Sequence, residues 1–131
     1  MRAILAAAIV VYASLVVATA QVRERDNGWM APPNASAKQN PLANRPDAAA
    51  GGAKLFQERC ATCHGADARG TEDAPDLSQA DVQAQTDGAL FWKISTGNSR
   101  SGMPAFSFLP ELQRWQLVLH VRSLNRDRAL K

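Results

Sequence analysis

The run Cys60-Ala61-Thr62-Cys63-His64 constrains this chain more than any other feature, and it holds the only two cysteines among 131 residues. The spacing C-x-x-C-H is the attachment pattern for a c-type haem. Two thiols three positions apart near a helix end can each add across one vinyl group. The next residue, His64, then carries its imidazole under the porphyrin face as an axial iron ligand. The competing readings are a disulfide, a thioredoxin-like redox pair and half of a zinc site. A zinc site needs a second ligand pair, whereas the one other histidine, His120, stands alone in an apolar run. A thioredoxin motif belongs in a βαβ setting, and no strand-like run flanks Cys60.

The N-terminus points to export. Residues 4–18 are almost unbroken apolar sequence behind Arg2, and they end in Ala18-Thr19-Ala20, a small-x-small cleavage site before Gln21. Residues 1–20 therefore read as a cleaved secretory signal peptide. The competing reading is an uncleaved anchor, since the stretch lies at the lower length limit for a membrane span. Loss of 1–20 removes Arg2 and leaves 14 basic against 12 acidic side chains, a net charge of +2. So mild a balance argues against a nucleic-acid partner. Export agrees with covalent haem attachment, which takes place outside the cytoplasm, so the expected location is the periplasm, with no stable membrane insertion after cleavage. Residues 21–46 read as an extended arm, because they hold four of the seven prolines (Pro32, Pro33, Pro41, Pro46) and show no period. Trp29 and Met30 either pin this arm to the globular body or form a docking tip; Met30 as an iron ligand would be poorly held.

A haem domain is expected over 47–125, with 126–131 as a basic tail. Asp47 is placed to cap a helix from Ala48 to about Thr62. Gly51-Gly52 inside it costs about 1 kcal/mol per glycine relative to alanine, which a helix accepts where another backbone must come close. Gly52, Phe56 and Cys60 fall four apart on one face, predicting that a second helix crosses at Gly52 with Phe56 beside it. That second helix begins near Pro110-Glu111. Leu112, Trp115 and Leu119 mark one apolar stripe on it, and Leu117, Val121 and Leu124 another, so it is buried on most sides. His120 within it is a packed residue or a second iron ligand. Between the two helices, Ser78 with Asp81 suggests a short helix, and Thr86-Asp87 caps a clearer one stopped by Gly97. Met103 then sits in a loop framed by Gly102 and Pro104 rather than on a periodic apolar face. That placement marks it as the sixth iron ligand.

These residues, in this order, resemble the single-haem class I bacterial cytochromes c over about 47–125. Gly52 and Phe56 resemble the family's helix-crossing glycine and aromatic. Cys60, Cys63 and His64 resemble its thioether and proximal positions. Pro75 and Leu77 resemble the proximal-loop pair, in which the proline carbonyl accepts a hydrogen bond from histidine Nδ1. Gly102-Met103-Pro104 resembles the distal loop, and 117–124 the C-terminal helix. His120 departs from the pattern, which usually carries an aromatic such as Tyr there. The resemblance implies an all-α cytochrome c fold of three to five helices wrapped around one haem c, held covalently through Cys60 and Cys63, with His64 and Met103 on the iron. A body of about 80 residues buries too little surface to be comfortably stable alone, and a porphyrin adds a large apolar centre.

The functional expectation is a periplasmic one-electron carrier cycling between Fe(II) and Fe(III), not itself an enzyme, that meets redox partner proteins briefly at the haem edge near Cys60 and Cys63. Arg122, Arg126, Arg128 and Lys131 either help that docking or are a solvated helix end, and Asn98 and Arg100 lie in the loop that could meet the haem propionates. Two alternatives stay open. One is an electron-transfer subunit of a larger dehydrogenase or terminal oxidase. The other is a haem sensor or peroxidase-like enzyme with a displaceable Met103.

Overall fold

The computed structural model describes residues 29–129. The expected signal peptide at 1–20, the first part of the arm and the last two residues of the tail lie outside them. Contacts divide the chain into Met1–Met30 and Ala31–Lys131. Of the first unit only Trp29, half-buried, and Met30, 69% exposed, are described. The second unit is helical, in the order α1 (Pro33–Ser36), α2 (Ala48–Arg59), α3 (Ala61–His64), α4 (Ala80–Gln83), α5 (Asp87–Thr96), a 3-10 turn (Ser99–Ser101) and α6 (Glu111–Ala129). Among the described residues the extended pairing is an isolated bridge between Asn98 and Met103. The all-α expectation holds.

The organising contact is the crossing of α2 over α6, and it needs Gly52. A Cβ there would stand 1.9 Å from the Gln116 carbonyl oxygen, so the two backbones touch at a distance no side chain permits. One turn on, Phe56 is 2% exposed and its ring lies 5.0 Å from that of His120. The crossing splits the apolar residues of α6 between two neighbours. Leu117 and Leu124 join Phe56, Ala68, Phe106 and Leu109. Trp115, Val118 and Val121 join Leu90 and Phe91 of α5, where the Phe91 and Trp115 rings stack at 4.0 Å. The predicted stripes differ at one end: Leu112 is 57% exposed, because it lies in the first turn, before the level at which Trp115 begins the buried run.

Local signals set most of the boundaries. Thr86 caps α5 by accepting the Ala89 N–H at 3.1 Å, and Gly97 ends it at φ 64°. Asp47 precedes α2 but makes no side-chain cap; its carboxylate accepts both Arg45 Nε (3.3 Å) and Nη2 (3.2 Å) instead. Ser78 does not cap α4 either, since Gln79 stands at that position and the Ser78 hydroxyl donates to Asp76 Oδ1 at 2.6 Å.

The described part of the arm departs most from expectation. Residues 31–46 are not structureless but form a strap over the body. Pro33 opens α1, and Ala35 and Asn40 are 7% and 6% exposed. The Ser36 carbonyl accepts the Thr86 hydroxyl at 2.8 Å, and Asn40 Nδ2 donates to the Trp115 carbonyl at 3.3 Å. Gly88 exists for this contact, as a Cβ on it would meet the Ala35 carbonyl oxygen at 2.2 Å. The strap is fastened by polar side chains to main-chain oxygens, which leaves no apolar period to read.

Candidate haem site

The motif residues sit where α2 gives way to α3. Helix α2 stops at Arg59 rather than Thr62 because Cys60 adopts φ −120°, ψ −30°, a break that restarts the chain as the single turn Ala61–His64. Cys60 is half-buried and Cys63 exposed, both as free thiols. Burial, with the neighbouring Cys63 adding to it, pushes the Cys60 thiol up to about 11.

The loop that follows folds back onto the histidine. The Gly70 N–H donates to the His64 carbonyl at 2.8 Å, and the Thr71 hydroxyl to the Cys63 carbonyl at 2.6 Å. Gly70 (φ 84°) has no room for a side chain, since its Cβ would lie 2.6 Å from the Asp76 nitrogen and 2.8 Å from the Ala74 oxygen. That close approach brings the Pro75 carbonyl to 3.1 Å from His64 Nδ1. A carbonyl only accepts, so Nδ1 is the donor, and in the neutral imidazole Nε2 is the nitrogen left to bind a metal. Leu77 is fixed by its N–H to the Ala68 carbonyl (2.9 Å), and its side chain packs against both core clusters.

Met103 is placed by its backbone. Its N–H and C=O exchange hydrogen bonds with Asn98 at 3.0 and 2.9 Å, across the 3-10 turn and Gly102 at φ 80°. Gly97 lets this loop close, as its Cβ would lie 2.5 Å from the Pro104 carbonyl carbon. The Phe106 N–H then bonds the Ile94 carbonyl at 3.0 Å, and Phe106 joins the cluster that Cys60 and Leu77 also touch. Met103 itself is half-buried, Asn98 half-buried and Arg100 exposed.

These residues fit a haem. Half-buried Leu55, Cys60, Ala61, Leu77 and Ile94 border the buried Phe56 cluster, giving an apolar wall beside two free thiols and an imidazole whose Nε2 can bind a metal. Among the described residues no group of three or more His, Cys, Asp and Glu is arranged to hold a metal ion. His120 packs on Phe56, occupying the place of the aromatic that the resemblance leads one to expect.

Several contacts at the site's edges carry no sequence signal. Gln83 Nε2 donates to the Leu77 and Val121 carbonyls at 2.8 and 2.9 Å. Arg114 lies 4.7 Å over the Phe91 ring and donates to the Leu109 carbonyl (3.2 Å) and the Ser95 hydroxyl (2.5 Å). Arg122 is no docking cation: its guanidinium binds Asp87 at 2.7 Å, the Gln83 carbonyl at 2.7 Å and the Gln85 carbonyl.

An all-α fold with this motif and proximal loop defines a cytochrome c-type haem domain. The chain belongs to the family described as cytochrome c oxidase, cbb3-type, subunit III, which it matches over residues 47–121. It is also similar to the cbb3-type cytochrome c oxidase subunit CcoP of Rubrivivax gelatinosus, at 44% identity over 61 residues, covering 44% of this chain and 20% of that protein. The chain thus spans about a fifth of the length of the curated relative it matches. One expectation is overturned here. The reading of the chain as no enzyme fails, because the family and the relative are both described as subunits of a cytochrome c oxidase. No helix among the described residues is long and apolar enough to cross a membrane.

Proposed function

We propose that the chain is a periplasmic haem c domain that passes single electrons as a subunit of, or in direct service to, a terminal oxidase of the cbb3 type. The observation that carries this reading is the family match, which spans the crossing glycine, the C-x-x-C-H motif, both loops and most of the C-terminal helix. Haem c, when bound, supplies the Fe(II)/Fe(III) couple.

The chain's own residues supply the rest. Cys60 and Cys63 would hold one haem by two thioethers, which would fix its position without any contribution from binding affinity. His64, its Nδ1–H held by the Pro75 carbonyl, would offer Nε2 to the iron, and the hydrogen bond would set both ring orientation and basicity. Met103, on a loop whose backbone is pinned to Asn98, would offer its thioether as the second protein ligand. Leu77 and Ile94, packed against the buried Phe56 cluster, would give the group an apolar surround that excludes water. With His64 and Met103 both committed to the iron, substrate chemistry there would be suppressed and electron transfer favoured. Partner proteins reach the site at the exposed Cys63 side, through a small and short-lived interface.

The test is the optical spectrum of the ferric, haem-loaded protein with and without Met103→Leu. A weak long-wavelength sulfur-to-iron charge-transfer band that the substitution abolishes supports the ligand set. A high-spin ferric wild type, or a ferrous form that binds carbon monoxide, refutes it in favour of a sensor or peroxidase-like protein. Oxygen uptake by membranes carrying the oxidase, with and without this chain, then separates a dedicated oxidase subunit from a freely diffusing carrier.

A further inference from the structure

An amide ties the proximal loop to α6. Gln83 closes α4, is half-buried, and uses both of its Nε2 hydrogens, one on the Leu77 carbonyl (2.8 Å) and one on the Val121 carbonyl of α6 (2.9 Å). Its own carbonyl accepts Arg122 Nη1 at 2.7 Å, so the residue is fixed from its backbone as well as from its side chain. Leu77 is bonded on both sides, by its N–H to Ala68 and by its C=O to Gln83. Two residues earlier is Pro75, whose carbonyl holds His64 Nδ1.

We infer that Gln83 is a positioning residue for the proximal ligand: by tying the Leu77 carbonyl to α6, it sets how firmly the Pro75 carbonyl holds the His64 Nδ1–H. The inference rests on His64 being the axial ligand proposed above. The physical route is short. A part-buried carbonyl that loses its donor turns toward another donor or toward water, and for Leu77 that means rotating the Leu77–Ser78 peptide, which the single Asp76–Leu77 peptide joins to the Pro75–Asp76 unit. Gly70 leaves little slack on the other side, because it lies so close that a Cβ on it would stand 2.6 Å from the Asp76 nitrogen and 2.8 Å from the Ala74 oxygen. The displacement therefore passes along the chain to the Pro75 oxygen. A weaker Nδ1–H···O bond makes the imidazole less electron-rich, which disfavours ferric iron and raises the potential.

The experiment uses the full haem-loaded chain and three variants. Gln83→Met keeps length and volume and removes both donors; Gln83→Glu keeps the shape and replaces the donors with acceptors. Gln85→Met is the control, since Gln85 loses a comparable bond, to the Asp81 carbonyl at 3.3 Å, without touching Leu77. The readouts are hydrogen exchange of the His64 Nδ1–H by NMR in the ferrous protein, and the midpoint potential. Both Gln83 variants are expected to exchange at least tenfold faster. Their potentials should rise by a two- to threefold change in the redox equilibrium constant, about 18–28 mV at 59 mV per tenfold for one electron. The control should match wild type in both. Wild-type exchange and potential in both Gln83 variants, with only a lower melting temperature, would overturn the inference and leave Gln83 a fold staple. A wild-type protein showing no haem-shifted His64 ring resonance would instead refute the ligand reading itself.

Discussion

Gly52→Ala tests the crossing on which the fold depends. The added Cβ would sit 1.9 Å from the Gln116 carbonyl oxygen and 2.5 Å from its carbon, against about 3.3–3.6 Å for an ordinary C···O contact. Both offending atoms are backbone, so no rotamer change relieves the overlap and α2 must lift from α6 by about 1.4 Å or more. A gap of 0.5–1 Å already forfeits about a quarter to a half of a dispersion contact, and the contacts at stake include Phe56 and Leu117, each 2% exposed. Overpacking of this kind costs about 3 kcal/mol or more, and alanine's better helix propensity returns about 1 kcal/mol. The net loss is therefore about 2 kcal/mol or above, or about 8–16 °C in melting temperature for a domain of this size. Gly51→Ala is the matched control, since its Cβ meets only the Gln116 side-chain amide, at 2.8 Å. That amide can swing away, so the variant should equal wild type or exceed it by up to about 1 kcal/mol. Thermal and urea unfolding of the two haem-loaded variants decides the matter. If Gly52→Ala is as stable as Gly51→Ala, the reasoning from backbone contact is wrong.

Asn40→Ala removes the buried amide that ties the strap to the Trp115 carbonyl and should cost about 1–3 kcal/mol, read as a lower urea midpoint and faster proteolysis within 31–46. In the haem-free protein, Cys60, with its thiol at about 11, should alkylate far more slowly than exposed Cys63 at pH 8. The Cys60 thiolate is then about one part in a thousand, so its rate should climb about tenfold per pH unit and level off only near pH 11. Mass spectrometry of timed iodoacetamide labelling checks this, and equal rates for the two thiols would refute it. Ala68 is 1% exposed yet holds φ 59°. Ala68→Gly trades about 1–2 kcal/mol of left-handed strain for a lost buried methyl of about 0.8 kcal/mol and greater unfolded-state freedom. Its urea midpoint should therefore stay close to wild type, whereas β-branched Ala68→Val should fall well below both.

What the sequence makes legible follows from which partner of each contact is a side chain. The C-x-x-C-H run, the Gly52–Phe56–Cys60 register and the Thr86 cap with the Gly97 stop are specified by side chains, or by their absence, at fixed spacing, and all of them can be read from the chain alone. The strap, the Gln83 clasp and the Arg122 anchor have a different chemistry. Asn40, Gln83, Arg114 and Arg122 each donate to main-chain carbonyls, of Trp115, Leu77, Leu109 and Gln85 among others. An acceptor present at every residue leaves no mark in the sequence, so a proline-rich stretch reads as a free arm and an arginine near the C-terminus reads as a solvated cation. The same asymmetry bears on how such a site is built. Around the motif the long connections have little regular secondary structure, so each loop carbonyl near the haem needs a donor brought from elsewhere. Long polar side chains on α4 and α6 can meet that need for irregular backbone that no helix period could hold, and the loops carrying Pro75 and Met103 can then be held as firmly as the helices they connect.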